Sequence, residues 1–320
     1  MSACSSAPPV ETIRWAIAIH GGAGTLDPNA PAAEQRAYEQ ALTRALVHGR
    51  DMLARGAAAL DVCEEVVRIL EDDPLFNAGV GAVFNDKGEH ELDASIMDGS
   101  TLRCGACAGV RTVRHPVTLA RRVMTDTPHV LLAGEGADQF AESIGLERVP
   151  NTFFDTERRR RALDKVLKER EQTGALLPND PQHRHGTVGC VVRDRDGNLA
   201  AATSTGGMTA KRWGRIGDTP VLGAGNYADR TAAVSCTGTG EEFIRHGVAR
   251  AVAARMQFGG QALAEAVHAV VHETLAKDDG GLIAVDAAGN LVADYNSTGM
   301  YRGLADSHGL FEVRIFRDAK

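Results

Sequence analysis

The chain has 320 residues, of which 43% are hydrophobic, so it can build a buried core in one large domain or two modest ones. Its 42 acidic against 35 basic side chains give a formal charge of −7, which argues against nucleic acid or an anionic membrane as the main partner and favours a small molecule or a peptide. The start, "MSACSSAPPVETIRWAIAIHGG", has no signal-peptide pattern and no stretch is apolar enough to span a membrane, so we expect a soluble, cytoplasmic protein.

The chain up to Pro150 alternates strand and helix patterns. The apolar stretch "WAIAIHGGAG" predicts a strand that runs into a glycine loop, and helical periodicity predicts helices over residues 31–54 and 59–73. Glycine loops and strands are predicted over residues 74–110, followed by a helix over 116–126, a strand over 129–134 and a helix over 135–145.

Composition changes after Pro150. Residues 151–186 carry little core-forming pattern and end in proline, asparagine, aspartate and histidine, which predicts a flexible linker. The four arginines of residues 158–161 could form a nucleic-acid patch, but acidic side chains are interleaved nearby, which favours a solvated or marginally helical connector. His183 and His185 could form a metal pair, although no cysteine accompanies them, which favours solvated side chains.

A β-hairpin follows this segment. Residues 188–192 run up to the turn "RDRDGN", whose Asp-Gly pair supplies positive-φ residues, and "LAAAT" runs back, so Thr187 and Thr205 are expected at the same open end. Helices are then predicted over "EEFIRHGVARAVAARMQF" and "QALAEAVHAVVHETLA", and strands over "GGLIAVDAAGNLVADYN" and "GLFEVRIFR". Both parts of the chain mix strands with helices that could cover them. The predicted fold is therefore α/β, a four-layer αββα sandwich of two facing sheets with helices outside.

The position of Thr187 suggests nucleophilic chemistry, although a Gly-Thr pair alone most often merely starts a strand. A threonine hydroxyl needs a base, and the α-amine of a chain-terminal threonine, with an unperturbed pKa of about 7.7–8.0, can be that base. Creating such an end inside a chain requires a cut before the threonine. Gly186 suits this step, because a residue without Cβ can hold the distorted backbone that lets the Thr187 hydroxyl attack the preceding carbonyl.

The six cysteines are too few for a disulfide framework in a chain of this length and suit a reducing compartment. Cys104 and Cys107 form a CxxC that could be redox-active or half a zinc site. No second CxxC follows, and residues three apart on a strand face opposite ways, which favours ordinary strand residues. Cys190 is expected to point away from Thr187 and to be a buried, inert thiol.

Eight sequence motifs are distributed over nearly the whole chain apart from the predicted linker. They are "IHGGAGT", "DPLFNAGVGAVFN", "HELDASIMDGS", "GTVGCVV", "AATSTGGMT", "GRIGDTPVLGAGNYAD", "SCTGTGE" and "GMYR". With them the sequence closely resembles the plant-type L-asparaginase/isoaspartyl peptidase (β-aspartyl-peptidase) family of N-terminal nucleophile (Ntn) hydrolases. The resemblance implies a self-cleaving threonine hydrolase that cuts β-aspartyl (isoaspartyl) dipeptides and L-asparagine through a threonyl acyl-enzyme.

The resemblance also implies catalytic roles for five residues. Thr187 would be the nucleophile freed by cleavage after Gly186, Thr205 the neighbour that hydrogen-bonds it and its amine, and Asn77 a contact of the new terminus. Thr237 and Gly238 would form an oxyanion hole, in which a hydroxyl and a backbone N–H face the developing negative oxygen.

Substrate binding is expected in two glycine-rich loops. Arg215 and Asp218 could hold the α-carboxylate and α-ammonium of an aspartyl group, the guanidinium in a bidentate manner, and a plain surface ion pair is the alternative. Gly240 would let the backbone approach the substrate closely. The expected substrate-binding residues are Arg215, Ile216, Gly217, Asp218, Thr237, Gly238, Thr239 and Gly240.

A sodium site and an assembly are further implications of the resemblance. The main-chain carbonyls that would bind a structural sodium ion are those of Leu70, Glu71, Asp73, Phe76, Ala78 and Val80. Carbonyl oxygens suit such a hard cation, and no cofactor is expected to be required. Cleavage would divide one domain into an α piece, residues 1–186, and a β piece, residues 187–320, which would stay together and pair as an (αβ)₂ assembly.

Three other functions fit parts of the sequence. The related glycosylasparaginases, which cleave a sugar from asparagine, would be expected to carry "DT" at the cleavage point and "TGDG" in the oxyanion segment, where this chain has "GT" and "TGTG". A threonine endopeptidase of the taspase kind would need an extended peptide groove, of which the sequence shows no sign. A phosphate or nucleotide binder is suggested by "GTGEE" and "HGGAG", but neither stretch has a GxxxxGK[ST] or GxGxxG pattern.

Overall fold

A computed structural model of the chain describes residues 15–24, 27, 29–174 and 186–317. Its strands are β1 (Ala16–Ala23), β2 (Leu92–Asp98), β3 (Cys104–Val110), β4 (Leu131–Ala133), β5 (Val188–Arg193), β6 (Leu199–Thr205), β7 (Asn226–Ala228), β8 (Ala232–Gly238), β9 (Gly280–Asp286), β10 (Leu291–Tyr295), β11 (Met300–Asp306) and β12 (Phe311–Arg314). Its α-helices are α1 (Ala32–Ala54), α2 (Ala59–Glu71), α3 (Pro116–Asp126), α4 (Gly134–Ser143), α5 (Glu157–Thr173), α6 (Gly240–His246), α7 (Val248–Gly259) and α8 (Leu263–His268). A short 3₁₀ helix spans Asn151–Phe154, and a π-helical segment, Ala269–Thr274, continues α8.

The strands of the described residues form two sheets. Eight of them make one sheet in the order β12-β11-β1-β5-β6-β2-β3-β4, and four make a second in the order β10-β9-β8-β7. The β5–β6 hairpin lies in the middle of the larger sheet, where Val188 pairs with Ser204 and Gly189 with Thr203. This antiparallel register brings the residue before β5 and the last residue of β6 to the same end of the hairpin, as the sequence predicts.

Alternation along the strands gives each sheet two apolar faces, which confirms the αββα sandwich. In β1, Ile17 packs with α1 and α2, whereas Ala18 faces the smaller sheet. In β9, Leu282 packs with α7 and α8, whereas Ile283 faces the larger sheet. The layers are therefore helices, larger sheet, smaller sheet and helices.

The helices α1 to α4 begin and end within two residues of the predicted bounds. The single helix predicted over residues 241–258 is instead divided into α6 and α7. Gly247 separates them with a φ of 54°, and this left-handed conformation ends a helix because its backbone no longer continues the helical path. No helix within the described ranges is both long and apolar enough to cross a membrane.

The predicted flexible linker is wrong for its central part, which forms α5. Leu163 and Val166 on this helix are buried against Phe84 and Ala210. These two apolar residues, three apart, form one narrow apolar stripe on the helix, and the many charged residues around them hid that stripe in the sequence. The remainder of the segment from 175 to 185, with His183 and His185, lies outside the described residues.

The arginines at the start of α5 contact the protein itself. Arg159 Nε donates to the carbonyl oxygen of Gly81 at 2.6 Å, and burial lowers the pKa of this guanidinium to about 10. Arg158 donates to the Tyr38 hydroxyl, with its guanidinium carbon 5.5 Å from the centre of that ring. These contacts fix α5 to α1 and to the loop after α2, so both side chains have structural partners.

The described cysteines are ordinary core residues, as predicted. Cys104 lies at the edge of the core between the sheets, whereas Cys107 is buried on the helix side of the larger sheet, so the two thiols of the CxxC face opposite ways. Cys190 is also buried on the helix side, and burial raises the pKa of its thiol well above the ordinary value. A buried protonated thiol is a poor nucleophile.

Candidate active site

The open end of the β5–β6 hairpin holds two threonines around one carbonyl. Thr187 Oγ1 lies 3.3 Å from Thr205 Oγ1, and both side chains are buried. The carbonyl oxygen of Gly186 accepts from both hydroxyls, at 2.7 Å from Thr187 Oγ1 and 2.9 Å from Thr205 Oγ1. Because the N–H of Gly207 donates to Thr205 Oγ1 at 3.0 Å, the Thr205 proton is free to point at that carbonyl. The structure thus brings together the predicted nucleophile, its predicted helper and the peptide bond that is predicted to be cut.

Asn77 supplies a further donor to the same carbonyl. Its Nδ2 donates to the carbonyl oxygens of Gly186, at 3.0 Å, and Gly207, at 2.8 Å. Its Oδ1 accepts from the N–H of Val83 at 2.9 Å, so the whole amide is held in one orientation. Gly186 has a φ of 124°, and a Cβ there would lie 2.8 Å from Cβ of Asn77, which explains why glycine precedes the threonine.

Thr237, at the end of β8, reaches the nucleophile through β1. The N–H of Ala23 donates to Thr237 Oγ1 at 3.0 Å, which leaves the hydroxyl proton able to face a developing oxyanion. Gly22, the residue before Ala23, lies next to Thr187. A Cβ built on Gly22 would be 3.3 Å from the Thr187 nitrogen. The predicted hydroxyl donor therefore contacts the residue that follows Gly22 in β1.

The rest of the "TGTG" stretch leads from β8 to the predicted substrate loop. Gly238 pairs with Gly280 as the last residue of β8. Thr239 donates its N–H to the carbonyl oxygen of Asp279 at 2.7 Å, and α6 begins at the next residue. A Cβ on Gly240 would lie 3.0 Å from the Gly217 Cα and 3.1 Å from the Asp218 nitrogen, so a larger residue would press against the backbone of the Arg215 loop.

Glu241, which the sequence analysis did not identify, occupies the guanidinium fork of Arg215. Arg215 Nε donates to Oε1 at 3.0 Å and Nη2 donates to Oε2 at 2.8 Å. Burial disfavours the charge on Arg215, but the hydrogen bonds and charge of Glu241 outweigh it and raise the pKa of the guanidinium. The Arg215 N–H groups that are predicted to bind the α-carboxylate of a substrate therefore bind the Glu241 carboxylate instead. Ile216, next to Arg215, is exposed and borders a surface cavity of about 720 Å³.

Asp218 presents a buried oxygen that lacks a donor. Its Oδ2 has no hydrogen-bond partner among the described residues, and only 5% of the residue is exposed. Burial raises the pKa of this carboxyl to about 7, although the charge of Arg215 opposes the shift. Gly217 lies between Arg215 and Asp218 in the sequence, and a Cβ on it would be 2.9 Å from Arg215 Nη1. A buried carboxylate oxygen without a donor suits a cationic ligand group such as an ammonium.

Two buried charges beside Thr205 also escaped the sequence analysis. Asp93 pairs with Thr205 between β2 and β6, and its Oδ1 accepts from the N–H of Gly109 at 2.7 Å. Lys211 Nζ donates to the carbonyl oxygen of Glu91 at 2.7 Å. Burial raises the pKa of Asp93 and lowers that of Lys211, and the charge of each opposes the shift of the other. The opposite charges therefore stabilise each other in the wall of the site.

His20 connects Thr187 to a buried series of hydrogen-bonded side chains. Its Nδ1 lies 3.1 Å from the carbonyl oxygen of Thr187 and its Nε2 lies 2.9 Å from Ser235 Oγ. Burial lowers the pKa of the imidazole to about 3, despite the opposing hydrogen bond to Thr187, so the ring is neutral. A carbonyl oxygen only accepts, so Nδ1 carries the proton and Ser235 donates to Nε2. Ser235 Oγ lies 2.7 Å from Thr203 Oγ1, which then donates to it.

The chain matches a known family over almost its whole length. The model of the family described as asparaginase matches residues 13–315. The chain belongs to the asparaginase family. This agrees with the family that the sequence motifs resemble.

Curated members of the asparaginase family are similar over nearly their full length. "Isoaspartyl peptidase" of Salmonella typhimurium is 52% identical over 308 residues, which cover 94% of this chain and 98% of that protein. "Probable isoaspartyl peptidase/L-asparaginase 2" of Arabidopsis thaliana is 46% identical over 323 residues, 94% of this chain and 99% of that protein. "Plant-type L-asparaginase" of Pyrococcus horikoshii is 41% identical over 285 residues, 86% and 91% of the two chains.

The sodium loop expected from the asparaginase resemblance follows α2. Leu70 and Glu71 end that helix, and the loop returns so that the N–H of Val80 donates to the Glu71 carbonyl at 2.7 Å. This contact brings Glu71 and Val80, near the two ends of the expected carbonyl set, together, and the Glu71 carbonyl accepts a hydrogen bond in it. The Glu71 side chain enters the core, where Oε1 accepts from Val117 N–H at 3.0 Å and from Ser204 Oγ at 2.6 Å.

Proposed function

We propose that this protein is an isoaspartyl peptidase with L-asparaginase activity, and that self-cleavage makes Thr187 its N-terminal nucleophile. The observation that carries the proposal is the meeting of Thr187 Oγ1, Thr205 Oγ1 and Asn77 Nδ2 at the Gly186 carbonyl. Relatives that match nearly the whole chain are named for the same activity, which supports the proposal.

Self-cleavage begins with attack of Thr187 Oγ1 on the carbonyl carbon of Gly186. The negative oxygen that forms stays between the donors of Asn77 and Thr205, which already bind it in the uncut chain. When the C–N bond breaks, the nitrogen takes the proton and Gly186 is left as an ester on the threonine oxygen. Water then hydrolyses this ester and leaves Thr187 with a free hydroxyl and a free α-amine.

Substrate hydrolysis uses the two groups that cleavage releases. The α-amine, with an ordinary pKa of about 7.7–8.0, takes the hydroxyl proton as Oγ1 attacks the β-carbonyl of the substrate. Thr237 Oγ1, held by the N–H of Ala23, and the backbone of Gly238 stabilise the oxyanion. Ammonia or an amino acid leaves with a proton, and water releases aspartate from the acyl-enzyme.

Substrate choice follows from the loop that carries Arg215 and Asp218. The unpartnered Asp218 Oδ2 would receive the α-ammonium, and Arg215 would exchange Glu241 for the α-carboxylate. Both L-asparagine and β-aspartyl dipeptides offer these two free groups. An α-aspartyl dipeptide does not, because its α-carboxylate is consumed in the peptide bond.

We also propose that the two pieces remain joined and pair as (αβ)₂. In the larger sheet, β1 from the α piece lies between β11 and β5 from the β piece, and β2 of the α piece pairs with β6. Separating the pieces would break three strand pairings, so neither piece completes the sheet by itself.

The main-chain carbonyls of the loop after α2 would hold the sodium ion, whose charge would stabilise that loop beside Asn77.

One experiment tests the activity. The purified full-length protein is assayed with L-asparagine, a β-aspartyl dipeptide and the matching α-aspartyl dipeptide, with Thr187→Ala as the inactive control. We expect hydrolysis of the first two, with a higher kcat/KM for the β-aspartyl dipeptide, whose leaving amino acid adds contacts. Robust cleavage of the α-aspartyl dipeptide would contradict the assignment of the Arg215–Asp218 loop, and full activity of Thr187→Ala would contradict the nucleophile.

A further inference from the structure

A cluster of three metal-binding side chains lies outside the candidate active site. His268 ends α8, His272 lies in the π-helical segment that follows, and Asp294 belongs to β10, an edge strand of the smaller sheet. One ligand atom from each of the three lies within 4.8 Å of the other two. Both histidines are exposed and Asp294 is half-buried, so the cluster is open to an ion from solvent.

The histidine spacing suits a single metal ion. His268 and His272 are four apart, a spacing that places both imidazoles on one side of a helix, and their ring centres are 4.7 Å apart. The backbone changes to π-helical hydrogen bonding directly after His268. Such segments are rare and frequently occur at functional sites.

Asp294 completes the cluster from a different element. Its Oδ2 lies 2.8 Å from His272 Nε2, and its Oδ1 accepts from Arg317 Nη2 at 3.1 Å. The N–H of Tyr295 also donates to Oδ1, at 2.8 Å, so Tyr295 and Arg317 together orient the carboxylate and leave Oδ2 directed at the histidine, as outer partners of metal ligands do. Arg317 and Lys277 both border the depression beside His272, so the local positive charge opposes a cation, and binding must come from direct coordination.

We propose that His268, His272 and Asp294 bind one divalent transition-metal ion of the zinc class. Two imidazoles and a carboxylate are the ligands that zinc takes in proteins, and a fourth position would remain for water. Ligand atoms about 2.0–2.1 Å from a tetrahedral ion lie about 3.3 Å apart, so the cluster needs only a small side-chain movement to close. His272 would carry its ring proton on Nδ1 instead of Nε2, so that Nε2 and Asp294 Oδ2 both coordinate the ion, which links the helical segment to β10.

The test is a zinc titration of the full-length protein after chelator treatment and dialysis. Calorimetry should show one equivalent of Zn²⁺ bound, and Co²⁺ in its place should give the intense visible absorption of a four-coordinate site. His268→Ala and His272→Ala should each weaken Zn²⁺ binding at least about tenfold, since loss of outer partners alone costs about 10–100-fold. Both residues belong to the surface, although the His272 side chain is only 26% exposed, so we expect the variants to fold, and a melting curve without metal checks this.

Two matched controls locate the ion. His129→Ala removes an exposed histidine elsewhere on the surface and should bind Zn²⁺ as the unaltered protein does. The double variant His183→Ala/His185→Ala should also keep the binding. Unchanged binding in both His268→Ala and His272→Ala, or its loss in the His183/His185 variant, would overturn the proposal. The result is independent of the hydrolase activity, because none of these residues belongs to the candidate active site.

Discussion

Arg215 and Glu241 form a bidentate ion pair, with Nε–Oε1 and Nη2–Oε2 distances of 3.0 and 2.8 Å, where the α-carboxylate of a substrate is expected to bind. Glu241 therefore competes with the substrate for one guanidinium. We expect Glu241→Gln to lower KM for L-asparagine and for a β-aspartyl dipeptide about twofold to fivefold, because a partly exposed ion pair contributes about 0.2–1 kcal/mol. Steady-state kinetics measure this, with Glu242→Gln, whose partner is Arg245, as the control. An increase in KM would mean that Glu241 mainly orients Arg215.

Arg215→Lys tests the fork itself. Lysine keeps the charge but cannot make two parallel hydrogen bonds to a carboxylate, so we expect KM to rise about tenfold to hundredfold for both substrates. The two substrates should be affected alike, because they share the aspartyl half that Arg215 would hold. A loss confined to one of them in parallel assays would show that Arg215 contacts the leaving group instead.

Thr205→Val tests the donors at the scissile carbonyl. Valine matches threonine in shape but removes the hydroxyl that lies 2.9 Å from the Gly186 oxygen. We expect self-cleavage to slow about 10²- to 10³-fold, the usual effect of losing one oxyanion donor. A denaturing gel over time, with N-terminal sequencing of the smaller piece, gives the rate and the cut site. Thr219→Val, which removes another buried hydroxyl, should cleave normally, and equal slowing of both variants would point to general destabilisation.

His20 is expected to position the nucleophile through the Thr187 carbonyl. His20→Asn can place an amide donor near the former Nδ1, whereas His20→Gln places one near Nε2 and loses the Thr187 contact. We therefore expect kcat to fall about tenfold or more in the Gln variant and less in the Asn variant, with KM little changed. Equal loss in both variants, with equal lowering of melting temperature, would indicate a purely structural role. Because burial lowers the pKa of His20 to about 3, kcat should show no His20 transition between pH 5 and 9.

Glu71 should make stability depend on pH. Burial raises the pKa of this carboxyl from 4.5 to about 8, although the hydrogen bonds of Ser204 and Val117 oppose the shift. Between these values the folded protein keeps a proton that the unfolded chain has released, so the free energy of unfolding should decrease as pH rises from about 4.5 to about 8. Glu71→Gln resembles the protonated acid and should remove this part of the decrease. Denaturant unfolding at pH 5 and pH 8 compares the two, and parallel pH profiles would contradict the raised pKa.

The sequence alone predicted most of the elements and indicated where the chemistry would lie, because both predictions depend on local pattern. Helical periodicity predicted α1 to α4, and two strand patterns on either side of a turn predicted the hairpin that brings Thr187 and Thr205 to the same end. The motifs also indicated Asn77, Thr237 and Asp218 as residues of the predicted site.

Only the tertiary structure decided which partner each charged or polar side chain would take. Glu241 lies 26 residues from Arg215, and His20 lies 167 residues from Thr187, so no local periodicity links either pair. Separation along the chain also explains why α5 was not predicted, because its two buried residues pack against Phe84 and Ala210, which are distant in the sequence. A buried charge or a narrow apolar stripe is stabilised by the residues that contact it in the folded chain. Packing between distant segments determines which residues those are.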